Sequence, residues 1–179
     1  MKRGLLVLLV LVAPALADRV YLKEADAPKM MFGNAVTATH KTLDLTDDQL
    51  AALGKALGRK LSTSSYPYLE VKDERGAVLG TIFLLDVIGQ SQPITFAIGI
   101  STDGTLRDVA VMIYRESHGD EIADKRFRKQ FAGKRASDPM TLGKDIDAIS
   151  GATISSRSAT FAARKALGLA ELLHGDKKP

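Results

Sequence analysis

The sequence predicts a single α+β domain in which an antiparallel meander sheet packs against helices. Three observations support this fold class. The chain has 179 residues, enough for one well-formed core. Its middle part alternates apolar and polar residues, with short turns between the runs. Its last part carries apolar residues at helical spacing.

Four strands are predicted in the middle of the chain. They span residues 69–72, 78–87, 94–101 and 106–114. The first two flank a charged turn that ends at Gly76, and the last two flank an Asp103-Gly104 turn; both turns have lengths and residues typical of hairpins. Parallel neighbours would need long crossovers, so these short connections predict an antiparallel meander.

Three helices are predicted around this sheet. The first begins at Thr46, which forms a capping-box pattern with Gln49, and it ends at Gly58. The second spans residues 119–131. The third spans residues 155–173, where alanines form a narrow stripe of small residues. A stripe of this kind lets a helix lie close to a sheet or to a ligand.

The first 17 residues have the pattern of a secretory signal peptide. A basic start, a short apolar run and an Ala15-x-Ala17 cleavage site match export better than a membrane span, which needs roughly 20 apolar residues. An uncleaved anchor is the alternative. We therefore expect an exported protein that is periplasmic or extracytoplasmic, whether free or associated with a membrane. The remainder divides into an N-terminal helical region (18–67), the main domain (68–174) and a polar tail (175–179).

Composition excludes several functions. The absence of cysteine excludes disulfides, thiolate chemistry, iron–sulfur clusters and the Cys-x-x-Cys-His attachment of c-type haem. The formal net charge of +4 falls to +2 when Lys2 and Arg3 leave with the signal segment. The remaining basic residues are scattered among acidic ones along the sequence, which argues against nucleic-acid binding.

The three acidic residues and one histidine after the last predicted strand do not predict a metal site. They are Glu116, His118, Asp120 and Glu121. Carboxylates in the first turn of a helix are ordinary partners of its dipole, and a single histidine rarely anchors zinc. The sequence also has no Gly-x-Ser-x-Gly elbow, dinucleotide fingerprint or P-loop. We therefore predict no catalytic residue and no metal ligand.

The segment just before the last predicted helix is the candidate binding site. The first N–H groups of a helix lack internal partners and carry partial positive charge. Gly151 and Ala152 leave the backbone open to a phosphate, and Thr153, Ser155 and Ser156 add hydroxyl groups. The alternative is a plain helix cap, where Ser, Thr and Gly are common.

The pattern Asp147-x-x-Ser150-Gly151-Ala152-Thr153, followed by hydroxyl residues and a small-residue helix, resembles the FMN-binding domain family. That family includes the flavin-carrying extracytoplasmic subunits of the sodium-pumping NADH:quinone reductase and of the Rnf-type complex. The resemblance covers roughly residues 80–173 and makes 68–174 an FMN-binding domain.

The resemblance also implies how the cofactor is held. A flavin transferase that uses FAD and Mg²⁺ would attach FMN covalently, through a phosphoester, to Thr153. Asp147, Ser150, Gly151 and Ala152 would be recognition and loop residues. Ser155 and Ser156 would complete the cofactor-binding set.

The implied function is that of an electron-transfer carrier without a substrate of its own. Its redox partner would be a membrane-bound reductase or another extracytoplasmic carrier. Subunits of the large complexes usually keep a membrane anchor, so a stand-alone carrier fits this chain better. Two alternatives stay open. One is a sensory or regulatory module that binds flavin, and the other is a non-redox exported binding domain in which the Ser-Gly-Ala-Thr loop is merely a cap.

Overall fold

The protein forms a six-stranded antiparallel sheet with helices on both faces. The computed structural model describes residues 18–34 and 36–175. The strands are β1 (Arg19–Val20), β2 (Val36–Asp44), β3 (Ser65–Asp73), β4 (Val78–Ile88), β5 (Pro93–Ser101) and β6 (Leu106–Tyr114). The α-helices are α1 (Ala27–Phe32), α2 (Asp47–Leu57), α3 (Lys125–Arg128) and α4 (Thr153–Gly175). Short 3-10 turns cover Glu24–Asp26, Asp120–Ala123 and Lys129–Phe131.

The sheet has the strand order β1-β6-β5-β4-β3-β2, and all neighbouring strands are antiparallel. Strands β3 to β6 follow one another through short turns, so the predicted meander and the α+β class are confirmed. Gly104 in the β5–β6 turn has a φ of +82°, a conformation that favours glycine.

Strand β2 is an element that the sequence pattern did not predict. It lies at one edge of the sheet beside β3, and of its nine residues Leu43 alone is buried. Its exposed Thr, His and Lys residues therefore lack the apolar alternation that identifies a half-buried strand. The N-terminal region, predicted as helical, thus also contributes β2 to the sheet, and β3 begins at Ser65, before the predicted domain boundary at residue 68.

The prediction of one continuous helix over residues 119–131 was wrong. The segment forms two 3-10 turns and α3, and the chain is extended at Asp124, which has a ψ of 137°. The Asp124 carboxylate accepts the Arg126 N–H at 2.6 Å and so caps α3. Because the segment is broken, Ile122, Phe127 and Phe131 can all reach the core.

The two longer helices lie on one face of the sheet. Helix α4 packs against β4, β5, β6 and α2. Its buried alanines are between 0% and 3% exposed, and they are Ala159, Ala162, Ala163, Ala166 and Ala170. These small side chains bring the helix backbone close to the sheet, where Phe83 and Phe96 are fully buried. Helix α1 covers the opposite face, where Met31 belongs to a second apolar cluster.

Helix α2 begins and ends as the sequence predicts. Thr46 and Gln49 form a complete capping box. Gly58 ends the helix in the left-handed conformation, with a φ of +65°. The N–H groups of Thr46 and Gln49 at the start of this helix are therefore satisfied by its own side chains.

The turn between β4 and β5 is held by a carboxylate that follows β6. Glu116 accepts the N–H groups of Ser91 at 2.6 Å and of Gln92 at 2.9 Å. Burial opposes the charge of Glu116, but these hydrogen bonds outweigh it and lower the pKa of the carboxyl group. Gly89 lies close to this carboxylate, because a Cβ added at residue 89 would be only 2.8 Å from Glu116 Oε1. The contact therefore leaves no room for a side chain at this position.

The signal-peptide prediction concerns residues 1–17, which lie outside the described residues, as do residues 176–179 of the tail. Among the helices of the described segments, none combines the length and the apolar character needed to cross a bilayer.

Replacing Ala163 by Leu should destabilise the fold. Ala163 is 0% exposed between α4 and the core, so the larger side chain must overpack it. We expect the free energy of unfolding, measured by urea titration, to fall by about 1–3 kcal/mol. The matched control is Ala52→Leu at an exposed position of α2, which should change it little. An Ala163→Leu protein as stable as the parent would contradict the close packing.

Replacing Glu116 by Gln should lower stability in a pH-dependent manner. The folded-state pKa of Glu116 is depressed, so its contribution is present above the unfolded pKa of about 4.3 and is lost as the pH falls through the folded value. We expect a loss of about 1–2 kcal/mol at neutral pH that shrinks below pH ~4. Urea titrations from pH 7 to pH 3 measure this difference, with exposed Glu74→Gln as the control. A constant difference across this range would exclude the assigned role.

Candidate functional site

The start of α4 defines the site. The helix begins at Thr153, two residues earlier than the sequence pattern predicts. Its first hydrogen bond runs from the Ser156 N–H to the Ala152 C=O at 2.9 Å. Within the described residues no group accepts a hydrogen bond from the N–H groups of residues 153–155. These three donors are therefore available to an anion.

The loop does not cap α4 with a side chain. The residue before the helix is Ala152, whose methyl group cannot accept a hydrogen bond. Ser150 is exposed, and its hydroxyl makes no hydrogen bond to the described part of the chain. The alternative interpretation as a plain cap therefore lacks the hydrogen bond that defines one.

The seven residues predicted for the site fall into two groups. The exposed group consists of Asp147, Ser150, Gly151 and Thr153, and the buried group of Ala152, Ser155 and Ser156. Gly151 has a φ of +83°, which suits glycine and turns the chain into the helix. The structure thus brings all seven into the loop before α4 and the first turn of that helix, but it presents only part of them to solvent.

The two buried serines hold the loop in place. The Ser155 hydroxyl lies 2.7 Å from the hydroxyl of Tyr114, which itself donates to the His118 C=O. Burial raises the pKa of Tyr114, so the phenol stays protonated at neutral pH. The Ser156 hydroxyl donates to the Ala152 C=O at 2.9 Å. A direct part of either serine in cofactor binding stays a prediction.

A glycine allows α4 to approach β6 this closely. Gly119 has a φ of +97°. A Cβ added there would lie 2.5 Å from Ser155 Oγ and 2.7 Å from the Tyr114 hydroxyl. The space that a side chain would need at residue 119 is thus already occupied by the Ser155 and Tyr114 hydroxyl groups.

The other end of the loop is clamped by Gln130. Its side-chain oxygen accepts the Asp147 N–H at 2.7 Å, and its amide donates to the Asp147 C=O at 3.3 Å. The neighbouring Ile146 is fully buried. Sequence reasoning missed Gln130, because its role depends on the 3-10 turn at 129–131 lying beside a loop that follows much later in the chain.

A cavity of about 470 Å³ lies beside the first turns of α4. This volume is within the range of small-molecule sites. Its apolar lining includes Ile88, Met140, Leu142, Ile154 and Phe161. Ile88 is 60% exposed and Ile154 is 42% exposed, so the cavity presents apolar surface to solvent. Thr153 does not line the cavity itself, but it directly precedes Ile154, which does.

The cavity is basic. Arg59, Arg157 and Arg164 line it, and no carboxylate does. The Arg59 guanidinium lies 4.6 Å from the centre of the Phe161 ring, and Arg164 donates to the Ala56 C=O at 3.3 Å. Arg157 is exposed and has no partner within the described residues. It lies one helical turn after Thr153, on the same face of α4.

No metal site accompanies this arrangement in the described part of the chain. There, no group of three or more His, Asp or Glu side chains is placed to hold a metal ion. Glu116 is occupied by the β4–β5 turn, and Asp120 accepts a hydrogen bond from Tyr21. The site therefore consists of an exposed threonine, unpaired backbone donors and a basic, partly apolar cavity.

Comparisons with known proteins agree with this site. Residues 89–168 match the model of the FMN-binding domain. Among solved structures, the chain is similar to NqrC of Shewanella oneidensis, with a TM-score of 0.56 and 16% identity over 83% of this chain and 86% of that one. At this identity the likeness establishes the fold alone. No curated protein sequence matches the chain significantly. The resemblance seen in the Ser-Gly-Ala-Thr segment is confirmed, since residues 89–168, which contain this segment, match the model of the FMN-binding domain.

Proposed function

We propose that the chain is an exported electron carrier that holds one FMN, joined through its phosphate to Thr153. One observation carries the proposal: within the FMN-binding domain, an exposed threonine occupies the first position of a helix whose first N–H groups are unpaired. A phosphate esterified to Thr153 would lie where these N–H groups can donate to it.

The exposed loop residues suit an enzyme-catalysed attachment. In the proposed reaction the Thr153 oxygen attacks the FMN phosphorus of FAD, the hydroxyl proton is released, and AMP leaves. The required enzyme is a flavin transferase that uses FAD and Mg²⁺. Asp147, Ser150 and Gly151 are exposed beside the acceptor, so such an enzyme could read them in the folded chain.

A covalent bond to FMN would compensate for the weak binding of a phosphate at the helix start. A helix start stabilises an anion by only ~0.3–1 kcal/mol, or up to ~2 when partly buried. Micromolar binding requires about −8 kcal/mol. Tethering makes binding intramolecular, with an effective concentration in the mM range. An exported carrier would otherwise lose its cofactor by dilution.

The cavity suits the flavin ring. Ile88, Leu142 and Ile154 would offer apolar surface to an aromatic ring system, and Arg157 would offer positive charge at the same cavity. Bound FMN supplies the redox chemistry, while the chain supplies attachment, contact surface and charge. No acid or base from the chain is needed for electron transfer.

The proposed function also includes export of the chain and electron exchange with a partner protein. The signal-peptide pattern of residues 1–17 supports export, and the absence of cysteine leaves flavin as a suitable redox group. A carrier also needs a protein that reduces it and one that reoxidises it. We expect a membrane-bound reductase or another extracytoplasmic carrier in these roles.

Attachment is tested by intact mass under denaturing conditions. Exported and co-expressed with a flavin transferase, the chain should gain the mass of FMN minus one water, and Thr153→Ala should gain nothing. Thr141→Ala is the matched control, since Thr141 is an exposed threonine at the same cavity. It should be modified fully. An unmodified parent chain, or a modified Thr153→Ala chain, would refute the assignment.

Replacing Arg157 by Gln should lower the reduction potential of the bound flavin. Reduction adds negative charge to the ring, and the guanidinium stabilises that charge. An interaction of roughly 1–3 kcal/mol corresponds to about 20–60 mV for a two-electron couple. Spectroelectrochemical titration measures the shift, and Arg75→Gln in the distant β3–β4 turn is the control. Equal potentials in the parent and Arg157→Gln would place the ring away from Arg157.

A further inference from the structure

A shallow groove adjoins the cavity on the side of α2. It has a volume of about 490 Å³ and shares Gly58 and Arg59 with the cavity. Its floor is apolar and consists of Leu50, Ala51, Gly54 and Leu61. The two hollows therefore form one continuous concave surface that extends from the start of α4 to the end of α2.

Five cationic side chains surround this surface, and we call them the basic rim. They are Lys55, Arg59, Lys60, Arg157 and Arg164. The one carboxylate that lines either hollow is Asp47. Within the described residues no member of the rim forms an ion pair, whereas some cations elsewhere do, as Arg128 does with Asp108. The rim thus carries uncompensated positive charge.

The backbone of the rim is preorganised. Gly58 takes the left-handed conformation, and the Arg59 N–H donates to the Gly54 C=O at 3.0 Å. The Arg59 guanidinium is held over the Phe161 ring, at 4.6 Å from its centre. A preorganised surface loses less conformational entropy when a partner binds.

We propose that the basic rim and the apolar floor of the groove dock an electron-transfer protein with an acidic surface. This inference rests on the proposed function, because the cavity opening is where electrons would leave the flavin. An apolar centre with a charged rim is the usual anatomy of a protein interface. Opposite charge on the partner would steer encounters and speed association.

The same surface suits a membrane less well. Binding to a bilayer requires large apolar side chains that protrude into the lipid. Here Leu50 and Leu61 are half-buried in the floor of a concave groove. The shape therefore favours a protruding protein surface over a lipid layer.

The test uses two double variants of the flavinylated chain with equal net charge. Lys55→Glu/Lys60→Glu alters the rim, and Lys125→Glu/Lys129→Glu alters exposed lysines that line neither hollow. The acceptors are a blue-copper protein with an acidic docking face and a c-type cytochrome with a basic one. Stopped-flow spectroscopy gives the second-order rate constant of electron transfer to each acceptor. Titration of each variant with each acceptor gives the binding affinity, and this measurement works whether or not the variant carries flavin.

The rim variant should lose about tenfold or more in rate and affinity toward the acidic acceptor at low salt, and added salt should reduce the loss. The control variant should lose much less, and the basic acceptor should show no such loss. Equal effects of the two variants, or none, overturn the proposal. Rim-dependent binding to vesicles of phosphatidylserine, without any effect on the acidic protein, also overturns it. If the parent chain carries no FMN, that result counts against the proposed function. The docking proposal is still tested in that case, because the affinities are measured independently of the flavin.

Discussion

The close contact between α4 and the sheet is the constraint on which the site depends. Isolated helices are marginally stable in water, so α4 is held mainly by its packing. Its buried alanines set the distance from the sheet, and the hydrogen bond between Ser155 and Tyr114 sets its position along β6. Thr153, the exposed first residue of this helix, therefore has a fixed place relative to the cavity.

The two long helices of the chain begin in different ways. Helix α2 starts with a full capping box, in which the side chains of Thr46 and Gln49 each accept the other residue's backbone N–H. Helix α4 starts after Ala152 without any side-chain cap in the described structure, and its first N–H groups face solvent. An uncapped start costs about 1 kcal/mol relative to a capped one. That cost is reasonable where the donors serve a phosphate.

Much of this could be predicted from the sequence, and the failures have physical causes. The meander, the capping box and the alanine stripe are local patterns, and they were predicted correctly. Strand β2 was missed because an exposed edge strand has no apolar alternation. The helix over residues 119–131 was predicted as continuous because its apolar spacing conceals the break at Asp124. The Ser-Gly-Ala-Thr segment, a short continuous motif, was the part of the site most readily found.

The remaining site residues depend on tertiary structure. Gln130 and Glu116 act on backbone that is distant in sequence, so no local pattern marks them. The members of the basic rim are scattered among acidic residues along the chain, and only folding gathers them. A small overall net charge therefore says little about the local field at one surface.

The close packing around Gly119 limits which residues this position can accept. Its missing side chain leaves room for the contact between Ser155 and Tyr114, so any larger residue would wedge the last helix away from its strand. Thr153, the proposed acceptor of FMN, lies only two residues from that contact. If Thr153 accepts FMN as proposed, a substitution at residue 119 would therefore lower the yield of attachment by displacing the helix that carries the acceptor.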